Sequence, residues 1–220
     1  MKPQRIILVR HGQSEGNVDK EIYKTVPDYA LRLTALGRKQ ALQAGKDIKK
    51  LIGDSSVQFY CSPFWRARDT YKEIAKSFPK HKYYEDPRLR EQEWGHLIAP
   101  DYDRASEEQK RDEYGHFYYR LYSGESCADV YDRISDFLDT LHRDFEKIDF
   151  PETVILPNHG MTIRLFLMRW FHYSVEEFEM LANPKNGEFV VLEKQSDNHY
   201  KLVTPMRTHT LKHTFQYKWK

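Results

Sequence analysis

The chain has 220 residues, two cysteines and a formal net charge of +2. That length fits one domain with an ample core, the near-balanced charge argues against a nucleic-acid-binding protein, and two cysteines are too few for a disulfide framework. The apolar run Ile6–Val9 is too short for a signal peptide and no stretch is long enough to span a membrane, so a reducing, cytoplasmic setting with no membrane and no nucleic-acid partner is expected.

Ile6-Ile7-Leu8-Val9 reads as a buried strand that ends in Arg10, His11 and Gly12. Ligands in open α/β sheets bind at the carboxyl ends of strands, and Gly12 permits a tight turn or a close approach. A cation and an imidazole at such an edge suit an anion attacked by a neutral ring. Ser14 or Asn17 can cap the next segment. Residues 18–32 have no sustained period and read as a loop near the mouth of a site. Thr34 caps a helix whose apolar face is Leu36, Ala41, Ala44, Ile48, Leu51 and Ile52, closed by Gly53-Asp54.

Val57–Cys61 is a second strand, broken by Ser62-Pro63. A helix runs on from Trp65 to Phe78. Arg66 and Arg68 in its first turn oppose the helix dipole. A bound anion would relieve that cost at Arg66, whereas Arg68 is expected in a surface ion pair with Asp69 or Glu73. His81–Glu85 is a short strand leading to Arg90-Glu91-Gln92-Glu93-Trp94-Gly95. Two carboxylates, Glu91 and Glu93, are close in sequence there, and Trp94 is either a pocket wall or core filler. Ser106 caps a helix with acids in its first turn, and Tyr114, Phe117, Tyr118 and Leu121 share one helical face.

Gly124-Glu125-Ser126 opens a long helix with the stripe Val130, Ile134, Phe137, Leu138 and Leu141. Thr153–Leu156 is another buried strand, ending at Pro157-Asn158-His159-Gly160. A second apolar strand thus ends in a second His-Gly, which can place two imidazoles beside one pocket. Met161–Phe171 is a buried helix, and Ser174 caps a short one closed by Asn183-Pro184. Phe189–Leu192 and Tyr200–Val203 form a hairpin turned at Ser196-Asp197-Asn198. The basic segment 207–220 reads as a terminal strand or ordered tail, because its cations are spaced rather than clustered.

Five ordered motifs carry a family resemblance: Arg10-His11-Gly12-x-Ser14-x-x-Asn17, Ser62-Pro63-x-x-Arg66-Ala67-x-x-Thr70, Leu89-x-Glu91-x-x-x-Gly95, Gly124-Glu125-Ser126 and His159-Gly160. Together they resemble the histidine phosphatase superfamily, which includes the cofactor-dependent phosphoglycerate mutases. The segments at 90–95, 124–126 and 168–172 are similar to plant and fungal phosphoglycerate-mutase-like proteins, among them broad-range acid phosphatases. Leu33-Thr34-x-x-Gly37-x-x-Gln40-Ala41 also matches, as a packing motif. Asn158 departs from the Ser or Thr that usually precedes the second His, and Pro157 is rare there.

The resemblance implies an α/β fold of three α/β/α layers with a mostly parallel central sheet, phosphoglycerate mutase-like. It also implies one domain over residues 1–220, with 96–123 as a cap insertion. The implied reaction is metal-independent hydrolysis of a small phosphomonoester through a phosphohistidine, with no cofactor. In it His11 is the nucleophile, its other ring nitrogen donating to a backbone carbonyl. Arg10, Arg66 and His159 are cationic donors to the phosphoryl oxygens, and Asn17, Gly160 and the Gly12 region are further binding elements. Glu91 is the general acid and base, its carboxylate kept ionised by the nearby arginines. Alternatives are a cofactor-dependent phosphoglycerate mutase and a non-catalytic phospho-ligand-binding protein on the same fold. The mutases carry an Arg after the acid-motif Glu and a Tyr before its Gly, whereas this chain has Gln92 and Trp94. The oligomeric state is left open.

Overall fold

The computed structural model describes residues 2–95 and 103–209. Residues 96–102, the start of the expected cap insertion, and 210–220, most of the basic tail, lie outside the described residues. The elements in chain order are β1 (Arg5–Arg10), α1 (Glu15–Val18), α2 (Ala35–Ile52), β2 (Val57–Cys61), α3 (Trp65–Ala75), β3 (Lys82–Glu85), α4 (Arg104–Tyr114), α5 (Cys127–Phe145), β4 (Thr153–Asn158), α6 (Gly160–Phe171), α7 (Val175–Met180), β5 (Phe189–Lys194) and β6 (Tyr200–Leu202).

The six strands form one sheet in the order β3-β2-β4-β1-β5-β6. β3, β2, β4 and β1 run parallel, and β5 and β6 add an antiparallel edge. The α/β expectation holds. Alternation along the strands sends residues to opposite faces. Ile7, Val9, Phe59 and Ile155 pack with Ala44, Ile48 and Ile74 of α2 and α3. Ile6, Leu8, Val154 and Leu156 pack with α5 and α6. The whole predicted stripe of α5 is buried, each such side chain contributing about 1.5–3 kcal/mol relative to exposure.

Several boundaries differ from the sequence reading. Helix α3 stops at Ala75, short of Phe78, which folds back into the core. Leu36 and Leu51 of α2 are half exposed, and Gly37 and Gly45 occupy the packed face instead. The cap of α4 is Asp103, whose side chain accepts from Ser106 N, so Ser106 lies inside the first turn. That helix ends at Gly115, where φ is +103°. The aromatic stripe is therefore cut: Phe117 and Leu121 are buried while Tyr114 and Tyr118 are exposed. The left-handed turn, easy for glycine, rotates the face away.

β4 does not stop at Leu156. It continues through Pro157 to Asn158 while pairing with β1. Its ladder to β2 ends at Phe59 and Ile155. Pro157 has no N–H to donate toward β2, so that ladder stops, while the Pro157 carbonyl still accepts from Ser62 N at 3.1 Å. Proline is tolerated here because no ladder bond is lost on the β1 side. Among the described residues no helix is long and apolar enough to cross a membrane, and Cys61 and Cys127 are buried free thiols.

Candidate active site

β1 and β4 are neighbours, so their carboxyl ends deliver His11 and His159 side by side, with ring centroids 5.2 Å apart. The turn after β1 is fixed by backbone contact. A Cβ on Gly12 would lie 2.2 Å from Gly37 O, and one on Gly37 would lie 2.0 Å from Gln13 O. Thr34 caps α2 by accepting from Gly37 N at 3.0 Å. The packing motif on α2 therefore holds the loop that carries His11.

His11 Nδ1 lies 2.7 Å from Gly12 O. A carbonyl only accepts, so Nδ1 carries the proton and Nε2 keeps its lone pair. Burial, and then the charges of Arg66 and Arg10, hold the His11 pKa well below its ordinary 6.5. The ring is neutral at pH 7, as a nucleophile requires.

His159 is tied the other way. Its Nε2 meets Ser62 Oγ at 2.8 Å, and its buried Nδ1 has no partner among the described residues. Phe64 N donates to the same Ser62 Oγ. Burial, again followed by Arg66, pushes His159 well below its ordinary value. In the free site this favours the neutral imidazole, so the expected cationic His159 would require the charge of a bound anion.

Arg66 is 4% exposed, so it lies inside the site rather than on the surface. Its Nη1 donates to Asp28 O at 2.6 Å and Asp28 Oδ1 at 2.9 Å, and its Nη2 to Asp28 Oδ2 at 3.1 Å. A guanidinium has five donors, so Nε and one Nη2 proton remain for an anion. Asp69 instead takes Arg32 and Arg38, and Arg68 pairs with Glu85 rather than Asp69 or Glu73. Asp28 lies on a 3-10 turn, Asp28–Ala30, within the predicted loop. Nothing in the aperiodic stretch 18–32 singled it out.

Arg10 donates through Nη1 to Pro184 O at 2.6 Å and leaves a buried Nε without a partner among the described residues. Asn17 Oδ1 accepts from Ser14 N and from Asn186 Nδ2, both at 3.0 Å. Its amide is thereby oriented with the donor end turned away from both. Gly160 begins α6, so its N–H belongs to the unsatisfied first turn. The Gly12 region is not available as a donor: Gly12 N donates to Thr70 Oγ1 and Gln13 N to Gln40 Oε1.

Glu91 comes after the 3-10 turn Pro87–Leu89 and reaches the start of α6. Its carboxylate accepts from Thr162 Oγ1 at 3.2 Å and Met161 N at 3.4 Å. Burial raises its pKa above 4.5 against the opposing pull of Arg66 and Arg10. The expectation that arginines dominate is thus reversed: burial shifts the carboxyl toward its acid form. Arg133 of α5 fixes this loop by donating to Arg88 O, Arg90 O and Glu91 O at 2.6, 2.8 and 3.1 Å. Glu125 holds Arg133 in turn at 3.0 Å, which gives the Gly-Glu-Ser motif a positioning role. Glu93 is exposed and makes no contact with the histidines or with Arg66 among the described hydrogen bonds and ion pairs. Among the described residues no group of three or more His, Cys, Asp or Glu side chains is placed to hold a metal.

The family model described as histidine phosphatase superfamily (branch 1) matches residues 6–204. The chain belongs to that superfamily. A phosphoglycerate mutase-like protein of Arabidopsis thaliana is 41% identical over 220 residues, covering 91% of this chain and 68% of its own length. A broad-range acid phosphatase of Saccharomyces cerevisiae is 28% identical, covering 92% of this chain and 89% of its own. The fold matches a solved mycobacterial glucosyl-3-phosphoglycerate phosphatase with a TM-score of 0.72 at 22% identity, over 91% of this chain and 97% of that one.

Proposed function

We propose that this superfamily member is a phosphatase in which His11 Nε2 attacks the phosphorus of a phosphomonoester. The P–N bond forms as the ester P–O bond breaks, and protonated Glu91 gives its proton to the departing oxygen. Water then attacks the phosphohistidine, the Glu91 carboxylate takes the water's proton, and phosphate leaves with His11 restored. Little covalent chemistry is left to the protein beyond charge on the equatorial oxygens. Arg66 Nε and Nη2, Arg10, Asn17 and the Gly160 N–H are assigned to those oxygens. His159 Nδ1 is assigned as a donor that gains its charge only when the phosphoryl group arrives.

The observation that carries this reading is the Nδ1–Gly12 carbonyl bond, which leaves a neutral ring with one available lone pair. Support for hydrolysis over mutase chemistry comes from Gln92. It is fully buried and donates to Glu125 O at 2.8 Å, so no side chain there reaches for a substrate carboxylate. We read residues 103–123 as the described part of a cap, since Phe117 packs on Phe178 of α7 and Arg111 lies over Trp94. The buried free thiols suit a reducing, cytoplasmic compartment. The test is rapid quenching with labelled phosphomonoester: an acid-labile, base-stable label is expected on His11. A label and turnover that both survive His11→Ala would remove the assignment.

A further inference from the structure

Beside the phosphate end lies a cavity of about 530 Å³, within the range of pockets that enclose a small organic ligand. Phe64 joins the two. Its ring is 5.3 Å from that of His159 and 5.0 Å from the Arg66 guanidinium, and it also lines the cavity. Tyr23, Tyr29, Trp65 and Trp94 also line it. These rings are held in place. Tyr29 meets Trp65 edge-on, Arg32 stacks 4.0 Å over Trp65, and Arg111 lies 5.4 Å over Trp94.

The charges of this cavity are as informative as its rings. Its two arginines are already engaged, Arg68 by Glu85 and Arg90 by Glu125 at 2.6 Å. Of its two carboxylates, Asp28 is engaged by Arg66. Glu93 forms no salt bridge among the described residues, and its desolvation raises its pKa. A carboxylate on the substrate's alcohol half would meet Glu93 and Asp28 and find no uncommitted cation among the described lining residues. A flat apolar group would meet five aromatic side chains.

We propose that the alcohol half of the substrate is a flat aromatic group, larger than one ring and without a carboxylate or second phosphate, stacked against Trp94 and Trp65 while its phosphoryl group sits at His11. The proposal rests on the phosphatase reading and adds the class of leaving group. It separates this chain from enzymes built for small phosphorylated acids.

The experiment measures kcat/KM for phenyl, 2-naphthyl and 3-carboxyphenyl phosphate, whose phenols have similar acidity, so that chemistry is matched and recognition is compared. The naphthyl ester should exceed the phenyl ester by about tenfold or more, and the carboxyphenyl ester should fall below it. Trp94→Ala should lower the naphthyl-to-phenyl ratio by about tenfold, and Trp94→Phe should keep most of it. Glu93→Gln should raise the carboxyphenyl-to-phenyl ratio several-fold without changing the naphthyl-to-phenyl ratio. Equal efficiency for the naphthyl and phenyl esters in the unaltered protein overturns the proposal, as does a naphthyl preference that survives Trp94→Ala. Hydrolysis of all three esters alike leaves the phosphatase reading standing and removes only this inference. No hydrolysis of any, with no label on His11, removes both.

Discussion

His11 and His159 stand at neighbouring strand ends, each after an apolar run and each before a glycine, yet their rings are tied to different partners. His11 gives its Nδ1 proton to a carbonyl, an atom with no alternative but to accept. His159 shares Nε2 with a hydroxyl, which can give or take. The first bond fixes one tautomer and leaves a lone pair; the second leaves the tautomer open and Nδ1 unpartnered among the described residues. Role is therefore set by the hydrogen bond on the far side of the ring. Two residues with the same local sequence pattern are thereby suited to different proposed roles, nucleophile and donor.

The contrast can be broken at its strongest point first. His11→Ala removes the proposed nucleophile and should abolish labelling and lower turnover by about four orders of magnitude or more. His159→Ala should leave labelling intact and slow its formation by about 10²–10³, the usual worth of one donor to a developing oxyanion. If both variants lose the label equally, the division of roles fails.

Glu91→Gln serves both rings, since it acts on the bond His11 breaks. It should slow phosphorylation by an alkyl phosphate by about two to four orders of magnitude and by nitrophenyl phosphate far less, in single-turnover measurements. The raised pKa of Glu91 keeps the acid form present above pH 4.5. The alkaline limb of the alkyl-phosphate profile should therefore lie above that of an ordinary glutamate and vanish in the Gln variant.

Ser62→Ala sharpens the comparison with a smaller effect. It removes the partner of His159 Nε2, together with the acceptor of Phe64 N, and leaves the His11 bond to Gly12 untouched, so turnover should fall by about tenfold or less. Nitrogen NMR should show the tautomer of His159 shifting while that of His11 stays fixed. A change at His11 instead would mean that the two rings are coupled.

The smallest expected signal is in stability. Both histidine pKa values are lowered in the folded state from about 6.5. The unfolded chain then binds more protons below that pH, so their contribution is complete above about pH 6.5 and is lost as pH falls toward the depressed values. Glu91, whose pKa is raised, has the opposite sign, its contribution being lost as pH rises from 4.5 through the raised value. Urea midpoints measured between pH 5 and 7 should slope upward, and the slope should flatten in the two histidine variants.

Much of this was legible in sequence because it is periodic or punctuated. The α5 stripe, the Thr34 and Ser174 caps and the terminal hairpin arise from local pattern and local capping chemistry. The pairing of the two His-Gly strand ends was suggested by their similarity. The hidden part depends on contacts distant in sequence. Asp28 is an ordinary acid in an aperiodic loop until the fold brings it to Arg66, 38 residues on. The neutrality of His159 and the raised pKa of Glu91 are effects of burial, which the arginines nearby in the motifs did not foretell. Pro157 reads as a strand end because its missing N–H stops the ladder to β2, while the pairing that carries β4 on to Asn158 is with β1, far away in sequence.

Gly12 and Gly37 touch backbone to backbone, with no room for a methyl group on either. In a saturation-mutagenesis map this would show as a pair of sites as intolerant as the nucleophile itself, for want of space rather than loss of chemistry. Position 37 carries no reactive group and sits outside the pocket. Its signature would be distinctive: every replacement, alanine included, should impair function, and the mildest of them should be among the most informative about how firmly helix and loop are pressed together.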